Sequence, residues 1–401
     1  MSFIKTPIKG MRDFLPKEME LREYVLKMIK ETYTSFGYVN IETPCVEHIE
    51  NLTSNDGGEN EKLIFKILKR GEKLIYSNNF ESLTDCGLRY DLTVPLARYY
   101  SNNINELGSP FKSLQIGYVW RADRPQKGRF RQFMQCDIDI LGENSILGEI
   151  DLIIAMTSLL NKLKLNNYYI RINDRRILRE MALSSGFNND DLESVFISLD
   201  KLDKIGKDGV ILELEKNNYN KEIINKYLDM FNDNKYPDTL INTEVVSNLN
   251  NVIKTIKEVT NAKVVFDPTL VRGMGYYTGM IFEISVEGFN GSIGGGGRYD
   301  DMIGKYAKIP VAACGLSIGF ERLVTILEEQ NFVIPNKISK KAYILDRDLN
   351  IDKLVEILKQ AQNKREEGNV INVLYRNKNY KYQRDNLELD NYKDIEQIGN
   401  K

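Results

Sequence analysis

The chain has 401 residues with Lys+Arg 55 against Asp+Glu 57, a formal charge of -2 that disfavours nonspecific coating of nucleic acid and leaves room only for a local basic footprint. A composition of 42% hydrophobic, 28% charged and 10% aromatic residues is that of a folded chain of two or three domains and argues against wholesale disorder. One histidine, His48, and four widely spaced cysteines, Cys45, Cys86, Cys136 and Cys314, exclude histidine-cluster metal sites, HExxH hydrolysis, most histidine triads, CxxC zinc sites and a disulfide framework.

In chain order, MSFIKTPIKGMRDFLPKE has no long apolar core and no later run reaches about 18 apolar residues, so a cytoplasmic chain with no membrane partner is expected. After Pro16 the apolar residues of KEMELREYVLKMIKETYTSFGY fall at helical spacing up to Gly37, and VNIETPCVE reads as a short extended piece in which Pro44 favours an element end. Residues 63–76 predict a hairpin around Arg70-Gly71, and LRYDLTVPLARYY starts as a strand and turns helical after Pro95. Residues 110–141 alternate, pass through a charged interval with Pro125 and Gly128, and alternate again, which predicts two antiparallel strands joined by a long basic loop. GENSILGEIDLIIAMTSLLNKL has the polar start and apolar spacing of a helix that packs on the sheet.

YYIRIND is a further strand that closes a first segment, 1–174. Residues 175–260 change into successive helices, sheet character returns over 261–330, and KAYIL, LVEILKQAQNKREE and VINVLY predict a small α/β domain over 331–401. Its polar tail, KNYKYQRDNLELDNYKDIEQIGNK, argues against a complete last sheet edge. The fold class is therefore α+β: a mostly antiparallel sheet with flanking helices, a helical insertion and an abbreviated C-terminal α/β domain.

The clearest chemistry lies in Arg121, Arg124, Lys127, Arg129 and Arg131 between two apolar strands, because guanidinium groups match phosphate oxygens with paired donors and strands limit their motion. Alternation places Gln135, Asp137 and Asp139 on one face just beyond. In RYDLT, Asp91 and Thr93 share a strand face suited to an amino group; equally, Asp91 pairs with Arg98 or caps the following helix. RGMGYYTG offers Arg272 and the Tyr276–Tyr277 pair, whose rings suit a pocket wall around a planar polar ligand. IGGGGRYDD has neither P-loop nor GxGxxG spacing, and its glycines suit a flat ligand or a strand bend. Arg322 in GLSIGFERL opposes the dipole at a helix start, a placement a phosphate ligand would offset.

Taken together, GMRDFLP, FGYVNIETPCVE, LRYDLTVPLARY, YVWRADRPQKGRFRQFMQCDIDILG, LVRGMGYYTG, GGGGRYDD and GLSIGFERL resemble, in that order, the histidyl-tRNA synthetases of the class II aminoacyl-tRNA synthetase family over nearly the whole chain. The resemblance implies a catalytic domain split into 1–174 and 261–330, an inserted helical domain at 175–260, and an anticodon-binding-like domain at 331–401. It implies ATP as a substrate that brings its own Mg2+, with L-histidine and tRNA(His) as partners, a homodimer joined near Pro44, and no protein-held metal. By position, Arg121 resembles the arginine on the α-phosphate, Arg322 its partner at the terminal phosphates, and Arg272 the arginine near the reacting carboxylate. Asp91, Thr93 and Gln135 would hold the amino group; Asp139, Tyr276 and Tyr277 would line the imidazole end. The family often carries an acidic residue where Gly275 stands. The alternative in the same family is the synthetase-like regulatory subunit of ATP phosphoribosyltransferase, which the shortened tail favours and the retained arginines oppose.

Overall fold

The computed structural model describes residues 3–53, 60–71, 83–126, 128–231, 240, 243–272, 277–289, 291–335 and 340–400. They form two compact units, residues 14–21 with 331–401 in one and the remainder in the other.

The larger unit is built on an eight-stranded sheet in the order Val39–Ile41, Phe111–Trp120, Gln132–Leu141, Ala313–Gly319, Ser292–Arg298, Met280–Val286, Tyr168–Asp174, Lys263–Phe266. The six inner strands pair antiparallel, and each outermost strand pairs parallel with its neighbour. The alternating residues of 110–141 form the expected pair, Phe111–Trp120 against Gln132–Leu141. In Gln132–Leu141 the alternation separates two environments that are both buried: Cys136, Ile138 and Ile140 belong to the apolar core, and Asp137 and Asp139 are sequestered with them in the same strand. The helix Leu147–Lys162 contributes Leu152, Ile153, Met156, Leu159 and Leu160 to that core, as predicted from its apolar spacing. Burying these aliphatic side chains stabilises the layer by about 1.5–3 kcal/mol each before entropy is counted.

Arg298, at the end of the glycine-rich strand, ties that strand to the helix. Its Nε and Nη2 donate to Glu149 Oε1 and Oε2 at 2.7 and 2.6 Å, Nη2 also donates to the Ser145 carbonyl, and Nη1 donates to the Glu143 carbonyl. This buried fork pairs two charges bidentately, so removal of either would strand the other.

A second, three-stranded sheet has the order Val46–His48, Thr84–Leu88, Lys66–Leu68. Lys66–Leu68 pairs antiparallel with Thr84–Leu88, beyond the 63–76 span in which a hairpin around Arg70-Gly71 is expected; residues 72–82, which would carry the second strand of that hairpin, lie outside the described residues. Residues 175–260 carry the helices Arg175–Ser185, Leu192–Leu199, Leu202–Lys216, Lys221–Asp229 and Glu244–Thr260. The last packs on Leu147–Lys162 and on the sheet.

The smaller unit is a parallel three-stranded sheet with Lys340–Leu345 between Val370–Tyr375 and Tyr392–Ile398, accompanied by the helices Ile351–Glu366 and Tyr380–Leu389. Tyr343, Leu345, Ile357, Ala361 and Ile371 form one core cluster and Ala342, Ile344 and Leu387 another. The polar tail thus forms a helix and a paired edge strand. Only Tyr392, Ile395 and Ile398 of that strand are part-buried, which is why its sequence reads as polar.

Candidate active site

A cleft of about 560 Å³ opens beside the sheet of the larger unit and is lined by Asp91, Thr93, Arg121, Gln135, Asp139, Arg272, Tyr277 and Arg322. Every described residue to which the resemblance assigns a role therefore lines one cavity, whereas Arg124 and Arg131 of the basic interval are not part of its lining. Tyr276 lies outside the described residues, as do Gly275 and Lys127.

One end is acidic. Asp137 and Asp139 are 3% and 4% exposed, and register aligns Gln135, Asp137 and Asp139 with Gly319, Ser317 and Gly315 on the next strand. The Tyr299 hydroxyl donates to Asp139 Oδ1 at 2.5 Å. Ser317 Oγ donates to Asp137 Oδ1 at 2.5 Å and accepts from Gln135 Nε2 at 2.9 Å. Burial pushes Asp139 up to about 7, opposed by the Tyr299 hydrogen bond and reinforced by Asp91. Burial and then the Asp139 charge hold Asp137 well above the usual carboxylate range. Gln135 Oε1 is buried with no hydrogen-bond partner among the described residues. An unsatisfied acceptor beside buried carboxylates is a place for a ligand N–H group.

Asp91 and Thr93 sit differently from the strand reading. The strand ends at Leu88 and a helix, Thr93–Asn103, begins before Pro95. Asp91 Oδ1 accepts the Val94 amide at 3.1 Å, which starts the helix early, and proline is tolerated in a first turn because no intrahelical N–H is required there. Asp91 thus acts at the helix start, while the Arg98 guanidinium, the alternative partner, donates to Glu47 at 2.6 Å.

The other end is basic. Arg121 Nε donates to the Tyr90 carbonyl at 2.8 Å, and its guanidinium lies over the Phe133 ring. Arg322 Nη1 donates to the Ser292 carbonyl at 2.6 Å. Burial, then the adjacent Arg129 and Arg272 charges, lower the proton affinity of Arg322, opposed by Glu283. Behind it Glu321 is held by Arg22 at 2.5 and 2.9 Å. Arg272 Nη1 donates to Glu283 Oε2 at 2.9 Å and lies flat on Gly295, where a methyl group would meet that nitrogen at 2.2 Å. The glycine run is thus a strand whose bare backbone admits an arginine.

Sequence reasoning missed Tyr299, Ser317 and Glu283. Tyr299 stands inside the quoted GGGGRYDD, Ser317 inside GLSIG, and Glu283 is the lone charge in the strand MIFEISV, so each carried a visible signal.

This sheet and cleft define a class II aminoacyl-tRNA synthetase catalytic core. Residues 10–323 match the family described as histidyl-tRNA synthetase. The chain is 42% identical over 374 residues to the histidine–tRNA ligase of Leifsonia xyli subsp. xyli (strain CTCB07), covering 88% of this chain and 86% of that one. The solved histidyl-tRNA synthetase from Nostoc sp. PCC 7120 superposes with a TM-score of 0.80 at 28% identity, covering 99% of this chain and 92% of that one. A solved protein from Bacillus halodurans C, described as an ATP phosphoribosyltransferase regulatory subunit/histidyl-tRNA synthetase, shares the fold at a TM-score of 0.78 and 20% identity, covering 100% of this chain and 99% of that one. The chain belongs to the histidyl-tRNA synthetase family.

Proposed function

We propose that this chain is an ATP-dependent histidine–tRNA ligase: it forms histidyl-adenylate from histidine and ATP and transfers histidine to the 3′ end of tRNA(His). The observation that carries the reading is one cleft with buried carboxylates at one end and Arg121, Arg272 and Arg322 at the other. An amino acid whose amino and imidazole groups are N–H donors and whose carboxylate is an anion fits that polarity, and a nucleotide triphosphate fits the basic end.

Histidine's ammonium is received by Gln135 Oε1, with Asp91 and Thr93 beside it. Asp139 and Tyr277 face the imidazole, and Tyr299 steadies Asp139 through its hydroxyl. ATP enters as the magnesium complex, the metal arriving with the nucleotide. Arg121 holds the α-phosphate and Arg322 the terminal phosphates. Arg272 steadies the histidine carboxylate as it attacks the α-phosphorus in line, forming the mixed anhydride as the bond to pyrophosphate breaks. A hydroxyl of the terminal tRNA adenosine then attacks the carbonyl carbon and AMP leaves. No protein nucleophile is needed; alignment and charge neutralisation supply the rate. Discrimination follows because a site built to hydrogen-bond the imidazole leaves buried groups unpaired when an apolar side chain enters.

Dimerisation is part of the same reading. Val39 and Val46 are exposed around Pro44, on and beside the edge strand Val39–Ile41, while Arg89 braces the segment by donating to the Thr43 carbonyl at 2.7 Å. An apolar edge of this kind suits a second copy. Among the described residues no helix is long and apolar enough to cross a membrane. A cytoplasmic location goes with a role in protein synthesis.

The test is aminoacylation of tRNA(His) by the purified chain with histidine and Mg-ATP. Charging of tRNA(His) with histidine is expected. Histidine binding without charging of any tRNA would refute the ligase reading and favour the regulatory subunit.

A further inference from the structure

Arg171 stands in the strand Tyr168–Asp174, directly opposite Glu283 on its antiparallel neighbour, and Glu283 in turn is opposite Gly295 on the next strand. These three positions form one row across the sheet, and the row ends under the Arg272 guanidinium that lies on Gly295. Glu283 divides its oxygens between two arginines: Oε1 lies 3.4 Å from Arg171 Nη1 and Oε2 lies 2.9 Å from Arg272 Nη1. Arg171 is anchored on its other side by Asp267, 2.5 Å from its Nε. The same Nη1 that touches Glu283 lies 2.9 Å from Asp203, in the helix Leu202–Lys216 of the helical insertion. The Asp203 side chain is 66% exposed, whereas Arg171 and Glu283 are only 16% and 18% exposed.

We propose that Arg171 is a positioning residue for Arg272, acting through Glu283, and that Asp203 couples the helical insertion to this arrangement by sharing the same guanidinium nitrogen. The inference rests on the reading of Arg272 as a residue of the reaction centre. A carboxylate facing one arginine pairs with it through both oxygens and holds its paired donors. With Arg171 Nη1 beside Oε1, Glu283 meets Arg272 Nη1 through Oε2, and that contact holds the guanidinium over Gly295. Without Arg171, Glu283 turns both oxygens to Arg272 and draws it out of register with the reacting carboxylate. Because Asp203 and Glu283 share one nitrogen, a shift of the insertion that loosens Asp203 lets that nitrogen turn toward Glu283, and the change reaches Arg272 with no direct contact between insertion and substrate.

The experiment is a double-mutant cycle in histidine-dependent pyrophosphate exchange with the full chain. Arg171→Gln is expected to lower kcat by about tenfold or more while the histidine KM moves less than about threefold, and Arg171→Lys to recover part of the loss. In an Arg272→Ala background, Arg171→Gln is expected to add less than about twofold, because its effect is exerted through the missing residue. Asp203→Asn, at an exposed position, is expected to raise kcat by about threefold, because the shared nitrogen then turns toward Glu283, and to lose that effect in the same background; this arm decides the matter if Arg171→Gln does not fold. Effects that multiply in full in both backgrounds, or unchanged kcat in the single variants, would overturn the proposal while leaving Arg272 in its role. An Arg272→Ala variant with normal exchange would remove that role and the proposal with it.

Discussion

Asp139→Asn offers a sharp test of the acidic end, because it should impair function and improve stability together. The substitution keeps the shape and leaves an oxygen for the Tyr299 hydroxyl while removing the charge. Burial raises the Asp139 carboxyl to about 7, against about 3.9 in an unfolded chain, so the folded state holds its proton more tightly than the unfolded one. Asp139 therefore contributes nothing below about pH 4, where both states are protonated, costs progressively more stability as pH rises toward 7 and the unfolded chain alone gives up the proton, and costs its full amount above 7. The gap of roughly three pH units corresponds to about 4 kcal/mol. That gap already includes the Tyr299 hydrogen bond to the carboxylate, so the variant should exceed the parent by about 4 kcal/mol at pH 8 and by about 1–2 kcal/mol at pH 5. Asp137 remains in both proteins but is held up in part by the Asp139 charge, so the variant also relieves Asp137 and the two effects add in the same direction. Chemical unfolding of both ligand-free proteins from pH 5 to 8 gives the stability difference, and titration with histidine and with ATP gives the function. The variant should lose histidine affinity by about tenfold or more, the worth of a charge-assisted hydrogen bond, with ATP affinity little changed. A stability difference independent of pH, or equal losses for the two ligands, would refute the reasoning.

Arg121→Ala and Arg322→Ala should each lower pyrophosphate exchange by about 10²–10³-fold, as when an oxyanion donor is lost. For Arg322→Ala the melting temperature should hold or rise, since the cation removed lies among Arg129 and Arg272; normal exchange in either folded variant would take that residue out of the phosphate assignment. Gly315→Ala would bring a methyl group to 1.9 Å from Asp139 Oδ1, and because Tyr299 and burial hold that carboxyl, the clash should cost about 1–3 kcal/mol of stability and most of the histidine affinity. Calorimetric binding that finds the variant's histidine affinity unchanged would mean that Asp139 moves aside freely.

Local order was legible where pattern and environment agree. Alternation in 110–141 located the strand pair because both strands bury their apolar face, and the same alternation put Gln135, Asp137 and Asp139 into the cleft. The start of Thr93–Asn103 is hidden because Pro95 reads as a first helical residue, whereas the Asp91 side chain supplies a start two residues earlier that composition does not reveal. Tyr392–Ile398 was hidden for another reason: an edge strand with a register shift against Lys340–Leu345 and three part-buried positions has no two-residue apolar period to read.

The long-range contacts were the least legible, and they are the ones that tune the site. Tyr299 reaches Asp139 across 160 positions, and Arg22 reaches Glu321 across 299. Nothing local marks such partners, since a tyrosine after an arginine or an arginine in an amphipathic helix has many ordinary uses. What the sequence does disclose is the need for them. Asp137 and Asp139 lie in a strand with apolar neighbours, and burial in such a strand is costly unless donors come from elsewhere. Ser317 and Tyr299 answer that need from the adjoining strand and from the turn before the helix Asp300–Ala307. The hydroxyls offset only part of the cost, which is why both carboxyls remain raised and why the acidic end retains the capacity to gain from a cationic, multiply donating ligand.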